Sequence, residues 1–377
     1  MRLICFGHSY CIAINRSIEK WISCQMSWDI TCVGPSSWPG DLRPLTFDSE
    51  EKKGKLQAVA VPVSFPFKVQ IFNYQKNAVA RLLAEGWDGA YLWQEPYCRS
   101  ALILTRQLRA LKIPYVFFTA QNLVKSYPWP FLAWEKEVVK NCSGWIACGN
   151  SVFETQNSRA YPHKKGVVLP HAVNTSLFKP AEKEEKEKIW KHWGVCGPVI
   201  GYVGRLTPEK GIRTILKVFE TLSPTSWGGL VFLGSGPLEH EIKKWALVNG
   251  WQDKVVVRLV KHSDMPFELP GLDILIAPSQ STGTWREQFG RMLIEAMASG
   301  VPVISSDSGE IPHTVGDAGS IVRESDVQGF SQAVKSLLGS CQLQQELCGK
   351  GLARSRLFSV ETLAPQYAAF WAKSFCN

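Results

Sequence analysis

The chain has 377 residues, 45% of them hydrophobic and 20% charged, enough apolar material to bury cores in about two domains and to exclude a disordered chain. A formal net charge of +9 suits an anionic ligand such as a nucleotide diphosphate, or an anionic lipid surface, and the lack of any dense Lys/Arg block argues against nucleic acid. The 11 cysteines are scattered, with no C-x-x-C pair and no Cys/His cluster at zinc spacing, so no bound metal is expected and the thiols read as buried and reduced in a cytoplasmic protein.

The segment from Met1 to Gly7 is a charged residue and a short apolar run, too short for a secretory leader, and no stretch of about 18 apolar residues follows it anywhere. Residues 3–6 read as a strand, 9–23 as a helix with Ile12, Ile18 and Ile22 among its apolar positions, and 30–33 as a second strand. A Pro/Gly-rich loop covers 34–44, followed by a strand at 58–63 and a helix at 73–84. Strands are expected at 90–93, 115–118, 145–148 and 167–169, with helical segments between them. The stretch 127–134 is aromatic, with Trp129, Phe131 and Trp134, and Lys136 and Lys140 follow. It suits a headgroup-level contact, which would place the protein at the inner membrane face as a peripheral partner, or a helix packing on its own domain.

A mixed-sign run from Glu182 to Lys188 reads as a solvated helix face near a domain junction at 170–180. Beyond it, strands are expected at 199–203, 230–233, 255–259, 274–277, 301–305 and 321–322. A helix after Lys210 aligns Ile212, Ile215, Leu216, Phe219 and Leu222 on one face, and another at 239–248 stops at Asn249-Gly250. Strands separated by helix-length segments need crossovers and so form parallel sheets, and their near-continuous apolar sequences fit sheets covered on both faces. The expected fold is α/β, with two Rossmann-like domains facing each other across a cleft: 1–172 on the acceptor side, 173–358 binding nucleotide, and an aromatic helix at 359–377 crossing back onto the first domain.

Two segments of the second half could carry chemistry. The first runs Gly204-Arg205-Leu206-Thr207-Pro208-Glu209-Lys210-Gly211. It follows a buried strand, and Thr207 and Pro208 suit the start of the next helix. Ligands of open parallel sheets sit at the carboxyl ends of strands, so Arg205 and Lys210 would present cations there, next to a helix N-terminus: a diphosphate site, or an ordinary strand–helix turn with surface cations. The second is EQFGRMLIEAMASG, from Glu287 to Gly300. Gly290 lets a ligand approach the backbone, and the amides of Arg291, Met292 and Leu293 at the helix start could hold phosphate oxygens. Glu295 lies inside an apolar helix, where a carboxylate needs hydrogen-bond donors such as ribose hydroxyls.

Together these segments resemble the donor-binding region of glycosyltransferase family 4, which has the GT-B fold. The resemblance rests on Gly204, Arg205, Lys210 and Gly211, on the Glu-x₇-Glu pair Glu287 and Glu295, on the SSDSGEIPHTVGDAG stretch that follows, and on LPHAVNTSLF at the junction. It is specific over 167–325 and general over the first 165 residues. It implies a retaining, metal-independent, front-face transfer of a sugar from a nucleotide diphosphate sugar to a hydroxyl acceptor. Arg205 and Lys210 would neutralise the diphosphate, Glu287 would hold the transferred sugar, the Phe289 and Gly290 amides would contact sugar or phosphate, and Glu295 would bind ribose. The base would pack near 260–262, at His262.

The first half departs from the family's glycine-pair loop: Gly7 and His8 follow the first strand, Gly7 allowing a tight turn and His8 a hydrogen bond to phosphate or acceptor. Glu95, Gln121 and Asn122 lie at the ends of later strands as acceptor-side candidates, the two amides able to orient but not deprotonate. A nucleotide-sugar epimerase, a sugar phosphorylase and a non-catalytic sugar-nucleotide binder share this architecture and remain alternatives. A nicotinamide dehydrogenase lacks its G-x-G-x-x-G turn here.

Overall fold

The computed structural model describes residues 1–40, 44–49, 54–159, 161–162 and 165–376; residues 41–43 of the expected loop and residue 377 lie outside these. The chain divides into two compact units, Met1–Ala172 with Val360–Asn377, and Val173–Ser359. Numbering only the strands of the two large sheets, the first unit holds β1 (Arg2–Phe6), β2 (Asp29–Pro35), β3 (Leu56–Val61), β4 (Gly89–Leu92), β5 (Tyr115–Thr119), β6 (Gly144–Ala147) and β7 (Gly166–Val168), in the order β7-β6-β5-β4-β1-β2-β3. The second holds β8 (Val199–Val203), β9 (Gly229–Leu233), β10 (Val255–Arg258), β11 (Ile274–Ala277), β12 (Val303–Ser306) and β13 (Ser320–Val322), in the order β10-β9-β8-β11-β12-β13. Every pairing in both sheets is parallel.

Within each sheet the chain starts in the middle, runs to one edge, then returns and runs to the other. The reversal falls between β1 and β4 in the first sheet and between β8 and β11 in the second. Crossover helices diverge at such a point and leave a crevice at the carboxyl ends of the strands. The expected pair of Rossmann-like α/β halves is therefore what the sequence builds. Central strands are apolar throughout because helices cover both faces: Leu3, Ile4, Cys5 and Phe6 of β1, and Val199 and Ile200 of β8, are fully buried.

The helices follow the expected faces. Ile212–Glu220 buries Ile212, Ile215, Leu216 and Phe219, and Lys183–Trp193, opened by a Glu182/Glu185 capping box, leaves its charged run in solvent. The last helix, Val360–Phe375, packs in the first unit: Trp371 is fully buried with its ring 5.0 Å from Tyr91, and the Tyr367 hydroxyl donates to the Leu169 carbonyl at 3.0 Å.

Several expected elements differ in extent. The helix expected at 9–23 is two 3-10 turns, His8–Cys11 and Ala13–Arg16, and then an α-helix, Ser17–Met26. Ile12 is extended between the turns, and Asp48 holds the break open: its amide donates to the Cys11 carbonyl and its carboxylate accepts from Ala13 N. The strand expected at 58–63 ends at Val61 because Pro62 has no amide to donate, and the chain continues into a small antiparallel ladder, Val63–Ser64 with Asn73–Tyr74. That ladder takes the first residues of the helix expected at 73–84, which begins at Lys76. The strand expected at 301–305 likewise starts after Pro302, at Val303. Cys5, Cys11, Cys32, Cys98, Cys142 and Cys148 are buried, whereas Cys24, Cys196, Cys341 and Cys376 are exposed, so burial explains only part of the thiol set; all are free. No helix of the described residues is long and apolar enough to cross a membrane, and no cluster among them could hold a metal ion.

Candidate active site

The carboxyl ends of β8 and β11, the two strands at the reversal of the second sheet, bring Lys210 and Glu287 together. After β8 the chain turns through Gly204 to Leu206, whose amide bonds the Ser235 carbonyl at 2.8 Å, and then forms the 3-10 turn Pro208–Lys210. Gly211 closes that turn at φ 73°, and a Cβ there would lie 1.8 Å from the Pro278 carbonyl oxygen, just past β11. This contact requires glycine and draws the two loops together.

Lys210 Nζ lies 2.6 Å from Glu287 Oε2, with side chains 12% and 9% exposed. The Ser279 hydroxyl donates to the same oxygen at 2.9 Å, and the Lys210 ammonium sits 4.5 Å from the centre of the Trp285 ring. The Glu287 carbonyl accepts from Glu310 N at 3.0 Å, which ties its backbone to the loop after β12. Arg205 is more open, 35% exposed and 3.6 Å from Glu209. Its carbonyl accepts from the Tyr202 hydroxyl at 2.9 Å.

The helix Arg291–Ala298 starts at Gly290, in the left-handed region at φ 79°. It buries Glu295, whose carboxyl is pushed up by desolvation, partly offset by the Arg291 guanidinium. Glu295 Oε1 lies 3.0 Å from Arg291 Nε and 3.7 Å from His262 Nε2. His262 Nε2 is buried without a hydrogen-bond partner among the described residues, and the Arg291 guanidinium is the charge that faces Glu295 Oε1. Burial, and then the Arg291 charge, hold His262 down at about 4, so its ring is neutral near pH 7. The segment expected to meet the base and the residue expected to meet ribose are thus neighbours. Phe289 and Leu293 have buried side chains in the core, Phe289 with its ring 5.6 Å from Phe358, and half-buried Met292 packs on that core.

In the first unit, Gly7 opens the 3-10 turn, with Tyr10 N donating to its carbonyl at 3.2 Å, and the His8 ring packs 5.1 Å from Trp38 and 6.2 Å from Phe72. Glu95, beyond β4, accepts from Thr119 Oγ1 and Ala120 N, each at 2.7 Å, which joins the ends of β4 and β5. Burial raises its carboxyl to about 7 against these two hydrogen bonds. Gln121 is buried and spends its side-chain amide on Tyr127 and Leu123 N, and Asn122 is buried next to it. Ser279 and Trp285 were not singled out from the sequence. Trp285 carries a signal there all the same, as the one aromatic in the loop between β11 and Glu287.

Comparison with known proteins fits this geometry. Residues 185–350 match the family described as Glycosyl transferases group 1. Over 308 residues, 75% of this chain and 83% of the relative, the sequence is 26% identical to the lipopolysaccharide core biosynthesis mannosyltransferase LpsB of Rhizobium meliloti. It is 34% identical over 176 residues to the GDP-mannose-dependent monoacylated alpha-(1-6)-phosphatidylinositol monomannoside mannosyltransferase of Corynebacterium glutamicum, an alignment spanning 45% of this chain and 46% of that one. Among solved structures, Anabaena HepE in complex with UDP and glucose superposes with a TM-score of 0.75 at 16% identity, covering 99% of each chain. Residues 185–350 are thus similar to the group 1 glycosyl transferases, and the chain is a glycosyltransferase with the GT-B fold.

Proposed function

We propose that the chain moves a sugar from a nucleotide diphosphate sugar to a hydroxyl acceptor with retention at the anomeric carbon and without a bound metal. The observation that carries this reading is the buried Lys210–Glu287 pair at the sheet reversal: a cation for phosphate and a carboxylate for sugar hydroxyls, 2.6 Å apart. Arg205 and Lys210 bind the diphosphate and take up the negative charge that grows as the bond from the anomeric carbon to the phosphate oxygen breaks. The acceptor oxygen forms its new bond to the anomeric carbon on the same face, and its proton passes to the departing phosphate oxygen. Glu287 holds the sugar through its hydroxyls, Glu295 accepts from ribose, and the 260–262 segment receives the base. The two cations supply the charge that a divalent ion supplies in other transferases, which is why no metal enters this reading.

GDP-mannose and UDP-glucose are the first donors to test, given the name of the Corynebacterium relative and the ligands of HepE. A peripheral contact with an anionic membrane belongs to the same reading, supported by Trp129, 85% exposed, and the exposed Lys136 and Lys140. Steady-state transfer by purified, folded Arg205→Ala and Lys210→Ala is the test. Each is expected to lose roughly 10²–10³-fold in kcat, and wild-type turnover is expected to persist in a chelator. Full activity of either variant overturns the assigned roles.

A further inference from the structure

We infer that the Lys210–Glu287 ion pair makes the site selective for a donor that still carries its sugar over the spent nucleoside diphosphate, and that Trp285 is a positioning residue for Lys210. The inference rests on the nucleotide-sugar reading above. The two charges are joined at 2.6 Å and almost fully buried. The carboxylate is anchored: Ser279 donates to the oxygen that Lys210 touches, and Glu310 N holds the Glu287 backbone. The ammonium ends a flexible side chain, so when a diphosphate arrives it is Lys210 that moves and Glu287 that stays.

A nucleoside diphosphate without a sugar competes with Glu287 for Lys210, and to the extent that it draws the ammonium away it leaves a buried carboxylate without its cation. Breaking one side of a buried pair is costly. A nucleotide sugar brings the remedy with it, since its sugar hydroxyls donate to Glu287 as its phosphates take Lys210. The diphosphate and the sugar are therefore bound cooperatively through one pair of side chains. After transfer the sugar is gone, the pair re-forms, and the product diphosphate is released.

Trp285 holds the ammonium between its two partners. Its ring centre lies 4.5 Å from Lys210 Nζ, and its own backbone is pinned in a turn, with Thr282 N donating to the Trp285 carbonyl at 2.8 Å and Trp285 N donating to Thr282 Oγ1 at 3.0 Å. A ring face attracts the ammonium without competing for its hydrogen bonds.

Calorimetric titration of the full chain with UDP, GDP, UDP-glucose and GDP-mannose tests this. For the nucleotide that binds wild type, Glu287→Gln is expected to bind the free diphosphate about tenfold more tightly and the nucleotide sugar no more tightly, so that the preference for the sugar-bearing form shrinks. Glu287→Asp, whose carboxylate is drawn back from Lys210, is expected to shift in the same direction and covers the case in which Glu287→Gln fails to fold. A free-diphosphate affinity that is unchanged or weaker in the folded variant overturns the coupling. If none of the four compounds binds wild type, the nucleotide-sugar reading fails, and the coupling with it. Trp285→Ala is expected to weaken both ligands about equally, by several-fold at an unchanged melting temperature, with Trp285→Phe restoring most of the loss. A Trp285→Ala variant that binds like wild type removes Trp285 from the mechanism.

Discussion

Two glutamates outside the second-unit site, Glu19 buried and Glu95 half-buried, are expected to give the protein a pH dependence. Glu19 accepts a hydrogen bond from the Tyr10 hydroxyl beneath the first sheet, and burial raises its carboxyl to about 7; Glu95 is raised to about 7 for the same reason. A carboxyl whose folded pKa lies above its unfolded value binds more protons when folded. Its contribution is therefore fully present below about pH 4 and is lost as pH rises through about 7. Glu19→Gln removes one such group. Between pH 4 and pH 8 the wild type is expected to lose stability relative to this variant, on the order of 1–3 kcal/mol, as read by melting across that range; parallel pH profiles would contradict it. Arg205, Lys210, Glu287 and Glu295 stood out in the sequence as cations at a strand end and a Glu-x₇-Glu pair, but their spacing alone also fits an ordinary turn, and their expected roles came from the family resemblance. The contacts of Ser279 and Trp285 were not legible, because they depend on how the loop after β11 folds back over Lys210, and spacing does not encode that path. Glu95 was legible as a polar residue at a strand end, but its bonds to Thr119 and Ala120 come from the neighbouring strand.

At the scale of elements, the sharpest constraint is the turn that carries Lys210. Gly211 combines a left-handed backbone with a closest approach of 1.8 Å between a built Cβ and the Pro278 oxygen, so backbone must move to admit any side chain. Gly211→Ala is expected to cost about 2–4 kcal/mol in the second unit and to weaken donor binding, measured by denaturant unfolding and titration. An unchanged unfolding midpoint would contradict the packing described. Strand positions were readable because buried parallel strands are continuous apolar runs, and their limits shifted where Pro62 and Pro302 remove an amide from the ladder. The helix expected at 9–23 failed for a different reason. Its apolar periodicity is real, but Asp48, distant in sequence, captures the backbone on both sides of Ile12, and a local pattern does not report a tertiary competitor.

At the scale of the whole molecule, each unit has its own sheet and core, and the chain's last helix belongs to the first unit. The aromatic pattern of 360–375 made that helix legible as one that needs a partner. Trp371→Ala is expected to cost about 3–5 kcal/mol and to raise amide exchange in β4 and β6 while β8 and β9 keep their protection; uniform loss across both units would contradict independent cores. The central claim is that one pocket in the second unit grips a nucleotide diphosphate sugar through Arg205, Lys210 and Glu287. A crystal structure of the protein soaked with GDP-mannose or UDP-glucose tests it most directly. The expected result is a diphosphate in hydrogen-bond reach of Arg205 and Lys210, with the sugar on Glu287 and the ribose on Glu295; a nucleotide sugar bound elsewhere, with the Lys210–Glu287 pair undisturbed, would contradict it.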